Sequence, residues 1–139
     1  MRVVIDTNVL VSALLSPHGA PAGVVALAVA GQLQLCADGR LWSEYVDVLA
    51  RPRFAFDPGA VAAVLDCLHA QAVFVAASPW PDTLPHPADA MLLEIAAAAN
   101  AVAVITGNTA HLPEHARRGI LVQTPSEFLA AWRARQADA

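Results

Sequence analysis

Short runs of β-branched and aliphatic residues alternate along the chain with longer stretches whose apolar positions recur at helical spacing. The first run is Arg2-Val3-Val4-Ile5, which reads as a buried strand. Asp6-Thr7-Asn8 follows, three residues suited to capping a helix, and Val9, Leu10, Ala13 and Leu14 then fall on one helical face. The pattern predicts a helix over 22–30, a strand over Leu33–Cys36, a turn at Asp38-Gly39 and a helix from about Leu41 to Leu49. Arg51-Pro52 ends that helix, because a residue before proline is pushed out of the helical region. Asp57-Pro58 starts another, with Val61, Val64, Leu65 and Leu68 on one face and its end near Gln71.

Val73-Phe74-Val75 reads as a third strand. Four prolines between Ser78 and Ala88 predict an exposed loop, after which Asp89 opens a helix to about Ala99. Val102–Ile105 is a fourth strand, Ile120–Val122 a fifth, and Pro125 to about Gln136 a last helix. Thr124 and Glu127 have the spacing of a capping box at its start. Strands alternating with helices predict a parallel sheet with helices on both faces.

Composition narrows the class. A chain of 139 residues with 57% hydrophobic content is most simply one domain over 1–139, with a core that needs no staples. Its longest weakly polar stretch, Ala20 to Leu35, is interrupted by Pro21, Gly23, Gly31 and Gln32, so no membrane span is expected. An early aspartate argues against a signal peptide, and the expected setting is cytoplasmic. Cys36 and Cys67 fit no metal or redox spacing and are expected to be buried free thiols.

The formal charge of −4 offers no global attraction to phosphates, which leaves the distribution of charge to decide. All eight basic residues are arginine, with pairs at Arg51/Arg53, Arg117/Arg118 and Arg133/Arg135. Arginine suits bidentate phosphate contacts, although such pairs are also common on ordinary solvated surface. The absence of lysine argues against aspartyl phosphoryl-transfer and P-loop sites, and no Gly-x-Gly-x-x-Gly fingerprint is present.

Candidate chemistry sits where strands meet helices. In an open parallel sheet, ligands bind beyond the carboxyl ends of the strands. Asp6 follows the first strand, Glu44 lies in the helix after the second, Asp89 starts the helix before the fourth, and Asn108 follows that strand. Grouped carboxylates suit Mg²⁺, which keeps several waters, and carboxylate-bound metals can activate water or clamp a phosphodiester. Each residue also has a plain structural role. Asp6 is a helix cap, Glu44 a surface residue with Asp47 as its rival, Asp89 a helix-dipole charge and Asn108 a turn residue. The residues alone leave both readings open.

Four segments taken in order resemble the PIN-domain nucleases, and within them the VapC-like bacterial toxins of type II toxin–antitoxin pairs. These are Val3-Val4-Ile5-Asp6-Thr7-Asn8-Val9-Leu10-Val11-Ser12-Ala13, Glu44-Tyr45 with Val48 to Phe54, Leu84-Pro85-His86-Pro87-Ala88-Asp89 with Leu92 to Ala96, and Ala103-Val104-Ile105-Thr106-Gly107-Asn108 with His111-Leu112. The resemblance implies a three-layer α/β/α fold around a parallel sheet of about four to five strands. It implies that Asp6, Glu44 and Asp89 hold Mg²⁺ or Mn²⁺, that Asn108 is the fourth catalytic position, and that Thr7, Asn8 and Thr106 orient the ligands. The implied activity is hydrolysis of RNA phosphodiester bonds, with a cognate antitoxin as partner and a homodimer as assembly. The chain departs from the family at Asn108, where aspartate is frequent, and at His86 and Ala88, where relatives often carry acids. Those departures keep a second reading open, a catalytically weak or inactive PIN-like module that binds RNA or a partner protein. DNA cleavage is a third.

Overall fold

A computed structural model describes residues 1–138. Five strands form one sheet: β1 (Arg2–Ile5), β2 (Gln34–Ala37), β3 (Val73–Phe74), β4 (Ala103–Ile105) and β5 (Val122–Gln123). They pair in the order β3-β2-β1-β4-β5, every pair parallel. Six helices flank the sheet: α1 (Thr7–Leu15), α2 (Ala20–Val29), α3 (Gly39–Leu49), α4 (Pro58–Gln71), α5 (Ala90–Ala99) and α6 (Pro125–Ala137). This is the α/β/α arrangement expected from the sequence.

The central strands explain why the sheet forms. Val3, Val4, Ile5, Val104 and Ile105 have no solvent exposure, so β1 and β4 are sheathed by helices on both faces. α5 packs on β1, β2 and β4, while α2 packs on α1, α4 and α6. The α2–α6 approach is close enough that a Cβ on Gly23 would lie 2.8 Å from Leu129 Cδ1, which explains a glycine inside a helix.

The strand order places the site. From β1 the chain steps outward to β2 and then β3, but β4 and β5 add on the other side of β1. The crevice between β1 and β4 is therefore the switch point, where the connections leave in opposite directions and open a space at the carboxyl edge. Val3, Val4 and Ile5 pair with Ala103, Val104 and Ile105, which brings Asp6 level with Thr106. The Asp6 amide continues the ladder by donating to the Ile105 carbonyl at 2.9 Å.

Several boundaries move from their sequence-based positions. β2 lies one residue later than its apolar run, because Cys36 and Ala37 are the residues that pair with β3. β5 falls at Val122–Gln123, since Leu121 is 52% exposed and the sheet uses only its carbonyl. α3 begins earlier than Leu41, with Asp38 accepting from the Leu41 amide at 3.0 Å. The proline-rich loop is not simply exposed. Leu84 is buried, and the Trp80 indole donates to the Ala116 carbonyl at 2.8 Å. Cys36 is buried as expected, but Cys67 is only half-buried; both are free thiols. Among the described residues no single helix is long and apolar enough to cross a membrane.

Candidate active site

Asp6 occupies the N-cap position of α1, yet its side chain makes no capping hydrogen bond. Its carboxylate is held instead from across the switch point. The Thr106 hydroxyl donates to Asp6 Oδ2 at 2.8 Å, and the Asn8 amide group donates to the same oxygen at 3.2 Å. Asn8 Oδ1 in turn accepts from the Gly107 amide at 3.2 Å, which ties the start of α1 to the end of β4. Burial, opposed by the Thr106 hydrogen bond, and then the negative charges of Asp89 and Glu44 raise the Asp6 carboxyl above its ordinary range. Three carboxylates therefore share one electrostatic neighbourhood.

Glu44 reaches that neighbourhood because Tyr45 anchors α3. The Tyr45 ring is fully buried and its hydroxyl donates to the Ile5 carbonyl at the end of β1. Burial, and after it the charges of Asp6 and Glu44, push the phenol well above its usual range, so it stays a donor. The preceding residue, Glu44, accepts a hydrogen bond from the buried Thr7 hydroxyl. Asp6, Thr7, Asn8 and Glu44 line one cleft of about 390 Å³. The rival acid Asp47 is 75% exposed at its side chain and pairs only with Arg51.

Asp89 differs slightly from expectation. It closes a 3-10 turn (Pro87–Asp89) instead of beginning α5, and it makes no cap hydrogen bond. Its Oδ2 is buried without a hydrogen-bond partner. His111 Nδ1 lies 3.2 Å from that oxygen, a close contact outside hydrogen-bond geometry. His111 Nε2 faces Asn108 Nδ2 at 2.8 Å, and the Asn108 backbone amide donates to Thr106 Oγ1 at 3.1 Å. An amide nitrogen can only donate, so with this amide orientation Nε2 accepts and the ring proton sits on Nδ1, toward Asp89. A continuous polar chain thus runs from Asp6 through Thr106, Asn108 and His111 to Asp89. The exposed His86 ring lies over His111, with centroids 3.9 Å apart.

All four predicted positions, with Thr7, Asn8 and Thr106, converge at the carboxyl edge. His111 is visible in the sequence only as part of a motif; its place one turn after Asn108 is the local signal for its bridging contact. The sequence pattern does not single out Glu94, which is buried on α5, accepts from the Trp80 amide at 2.7 Å and pairs with Arg40 at 2.8 Å. A lone acid within Leu92-Leu93-Glu94-Ile95 is the one clue to a buried, satisfied charge.

A family model described as PIN domain matches residues 2–110. The chain belongs to the PIN domain family. PIN domains are generally nucleases and generally use divalent metal ions. No curated protein matches the chain. The matched span contains Asp6, Glu44, Asp89 and Asn108, whereas His111, β5 and α6 lie beyond it.

The donor set of this PIN domain fits a hard divalent ion. Asp89 has a buried oxygen that makes no hydrogen bond, and the Asp6 carboxylate is destabilised by two neighbouring negative charges that a cation would offset. Among the described residues, no three His, Cys, Asp or Glu side chains stand close enough to enclose a metal ion directly. Mg²⁺ commonly takes one or two carboxylates and fills its remaining positions with water, so the arrangement suits a hydrated ion better than a caged one.

Proposed function

We propose that this PIN domain is a metal-dependent endoribonuclease, the toxin component of a toxin–antitoxin pair. The observation that carries the nuclease reading is the Asp6 carboxylate, turned away from helix capping and held at the switch point within electrostatic reach of Glu44 and Asp89. Asp6 and Asp89 would hold Mg²⁺ or Mn²⁺, with Glu44 completing the acidic site. The ion, when bound, would supply Lewis-acid stabilisation of the phosphodiester and a more acidic water.

The side chains supply positioning. Thr106 and Asn8 fix the orientation of Asp6, Thr7 fixes Glu44, and Asn108 and His111 order the approach to Asp89. Glu44, half-buried and lining the cleft, would accept a proton from attacking water. The toxin role, the antitoxin partner and the homodimer rest on the motif resemblance. Purified protein incubated with RNA and Mn²⁺ should give cleavage that EDTA stops and Asp6→Asn removes. Cleavage that survives Asp6→Asn would overturn the assignment.

One feature favours a second reading, a weak or inactive module that binds RNA or a protein partner. The fourth position is neutral and its amide is engaged by His111 in place of a ligand. Calorimetric titration with Mn²⁺ separates the two: binding without turnover on varied RNAs supports the module, and turnover supports the nuclease.

A further inference from the structure

The acidic cleft has a second wall whose residues the carboxylate chemistry does not use. Arg51, Arg53 and Phe54 line the same cleft as Asp6 and Glu44. They belong to the short turn after α3, in which Pro52–Phe54 forms one 3-10 turn and Ala55 follows in a left-handed conformation at φ 52°. Pro52 has a fixed φ, which restricts the backbone of the turn that carries these side chains.

Neither arginine is accounted for by internal pairing. Arg51 reaches only Asp47, at 3.4 Å, with both side chains largely exposed, a kind of pair that contributes little. Arg53 has no ion-pair or hydrogen-bond partner among the described residues. Four other arginines are engaged, Arg40 by Asp38 and Glu94, Arg118 by Asp82, and Arg2 and Arg117 by backbone carbonyls, while Arg133 and Arg135 lie apart on α6 and do not line this cleft. Two weakly committed cations in one cleft with the Asp6 and Glu44 carboxylates, in a chain of net charge −4, mark where an anion would be drawn in.

Phe54 has no core role either. Phe56 packs against the hydrophobic core, but Phe54 is not part of that packing. It stacks on Phe56 with centroids 5.4 Å apart and planes 12° from parallel, and the Arg53 guanidinium carbon lies 4.7 Å from its centroid. An aromatic ring and a guanidinium plane at the mouth of a cleft form a surface on which an unpaired base can stack.

We infer that the Arg51-Pro52-Arg53-Phe54 turn is a binding wall for single-stranded RNA. Arg51 and Arg53 take backbone phosphates, and the Arg53–Phe54–Phe56 stack takes a base as the strand passes Asp6. A duplex keeps its bases stacked internally and cannot use the aromatic part of the wall. The inference rests on the nuclease reading and deepens it by assigning substrate-binding residues outside the carboxylates, and it is tested without turnover.

The experiment is fluorescence anisotropy of a labelled oligoribonucleotide of about 12 nucleotides, in EDTA, over a range of salt concentrations. Wild type should bind the single strand more tightly than a duplex of the same sequence. Arg51→Ala and Arg53→Ala should each lower the slope of log affinity against log salt by about 0.7, as expected for one lost single-strand phosphate contact. Phe54→Ala should weaken single-strand binding about 5- to 10-fold at every salt concentration with the slope unchanged, and Phe54→Trp should restore it. Thermal melts of each variant establish that the fold is retained. No wild-type binding, slopes indifferent to both arginines, or affinity indifferent to Phe54 would overturn the wall. If RNA is cleaved with KM unchanged in Arg51→Ala/Arg53→Ala, the wall fails while the nuclease reading stands. If the single strand binds with these dependences but is never cleaved, the wall stands and the nuclease reading fails.

Discussion

The Asp6 carboxylate stands one residue beyond a strand with no solvent exposure at Val3, Val4 and Ile5, and its local surroundings raise its affinity for a proton. A carboxyl whose folded pKa is raised contributes stability below its ordinary pKa and loses that contribution as pH rises through the raised value. In metal-free protein at about pH 7, ionised Asp6 is therefore destabilising. Asp6→Asn keeps an oxygen to accept from Thr106 and carries no charge. Its metal-free melting temperature at neutral pH should equal or exceed wild type, and the difference should vanish once pH falls below the ordinary aspartate range. A clear loss of stability at neutral pH would show that the carboxylate is structurally required. Thr106 makes the opposite prediction. It is 1% exposed, donates to Asp6 and accepts from the Asn108 amide, so Thr106→Val takes the closer of two donors from Asp6 and the acceptor from the Asn108 amide. Chemical denaturation should show a loss of about 1–3 kcal/mol. Among single residues, the acids are legible in the sequence as a group, but apart from the motif resemblance nothing in it chooses between Glu44 and Asp47. That choice is made by Tyr45, whose buried hydroxyl fixes the rotation of α3.

Helices and strands are legible where their apolar period is strong and least so at their ends. β1, α4 and α6 match the sequence pattern because each has an unambiguous start or a sustained period: Asp57 accepts from the Ala60 amide, and the Thr124–Glu127 capping box is formed. β5 is displaced because its run Ile120-Leu121-Val122 offers no polar mark of where pairing begins. The loop between β3 and α5 departs from expectation because proline signals irregular backbone and says nothing of burial. What holds that loop is Glu94, through the Trp80 amide, with Arg40 beside it. Glu94→Ala removes an acceptor from a partly buried amide and should destabilise the protein by about 1–3 kcal/mol. Hydrogen exchange should then rise across the loop from Ser78 to Ala88 while the β1 amides stay protected. Uniform exchange behaviour in both proteins would mean that Glu94 does not clamp the loop.

The topology of the whole molecule makes distant residues neighbours. Asp6 and Thr106 are a hundred positions apart, yet the β1–β4 pairing places them level at the sheet edge. Alternating strands and helices predict that edge, because parallel strands all deliver their carboxyl ends to one side. Pattern alone does not supply the order β3-β2-β1-β4-β5, which decides that β1 and β4 flank the switch point. The paired arginines show the same limit. Arg51 and Arg53 read as ordinary surface until the fold sets them in one cleft with the acids. If Asp6, Glu44 and Asp89 act together as one metal-dependent site, cleavage of RNA must depend on each of them. Single-turnover cleavage in Mn²⁺, with Asp6→Asn, Glu44→Gln and Asp89→Asn beside wild type, measures that dependence. Each variant should cleave about 100-fold or more slowly, with a melting temperature near wild type. Cleavage at the wild-type rate in any of the three, or a wild-type rate unaffected by EDTA, would mean that the carboxylates form no such site.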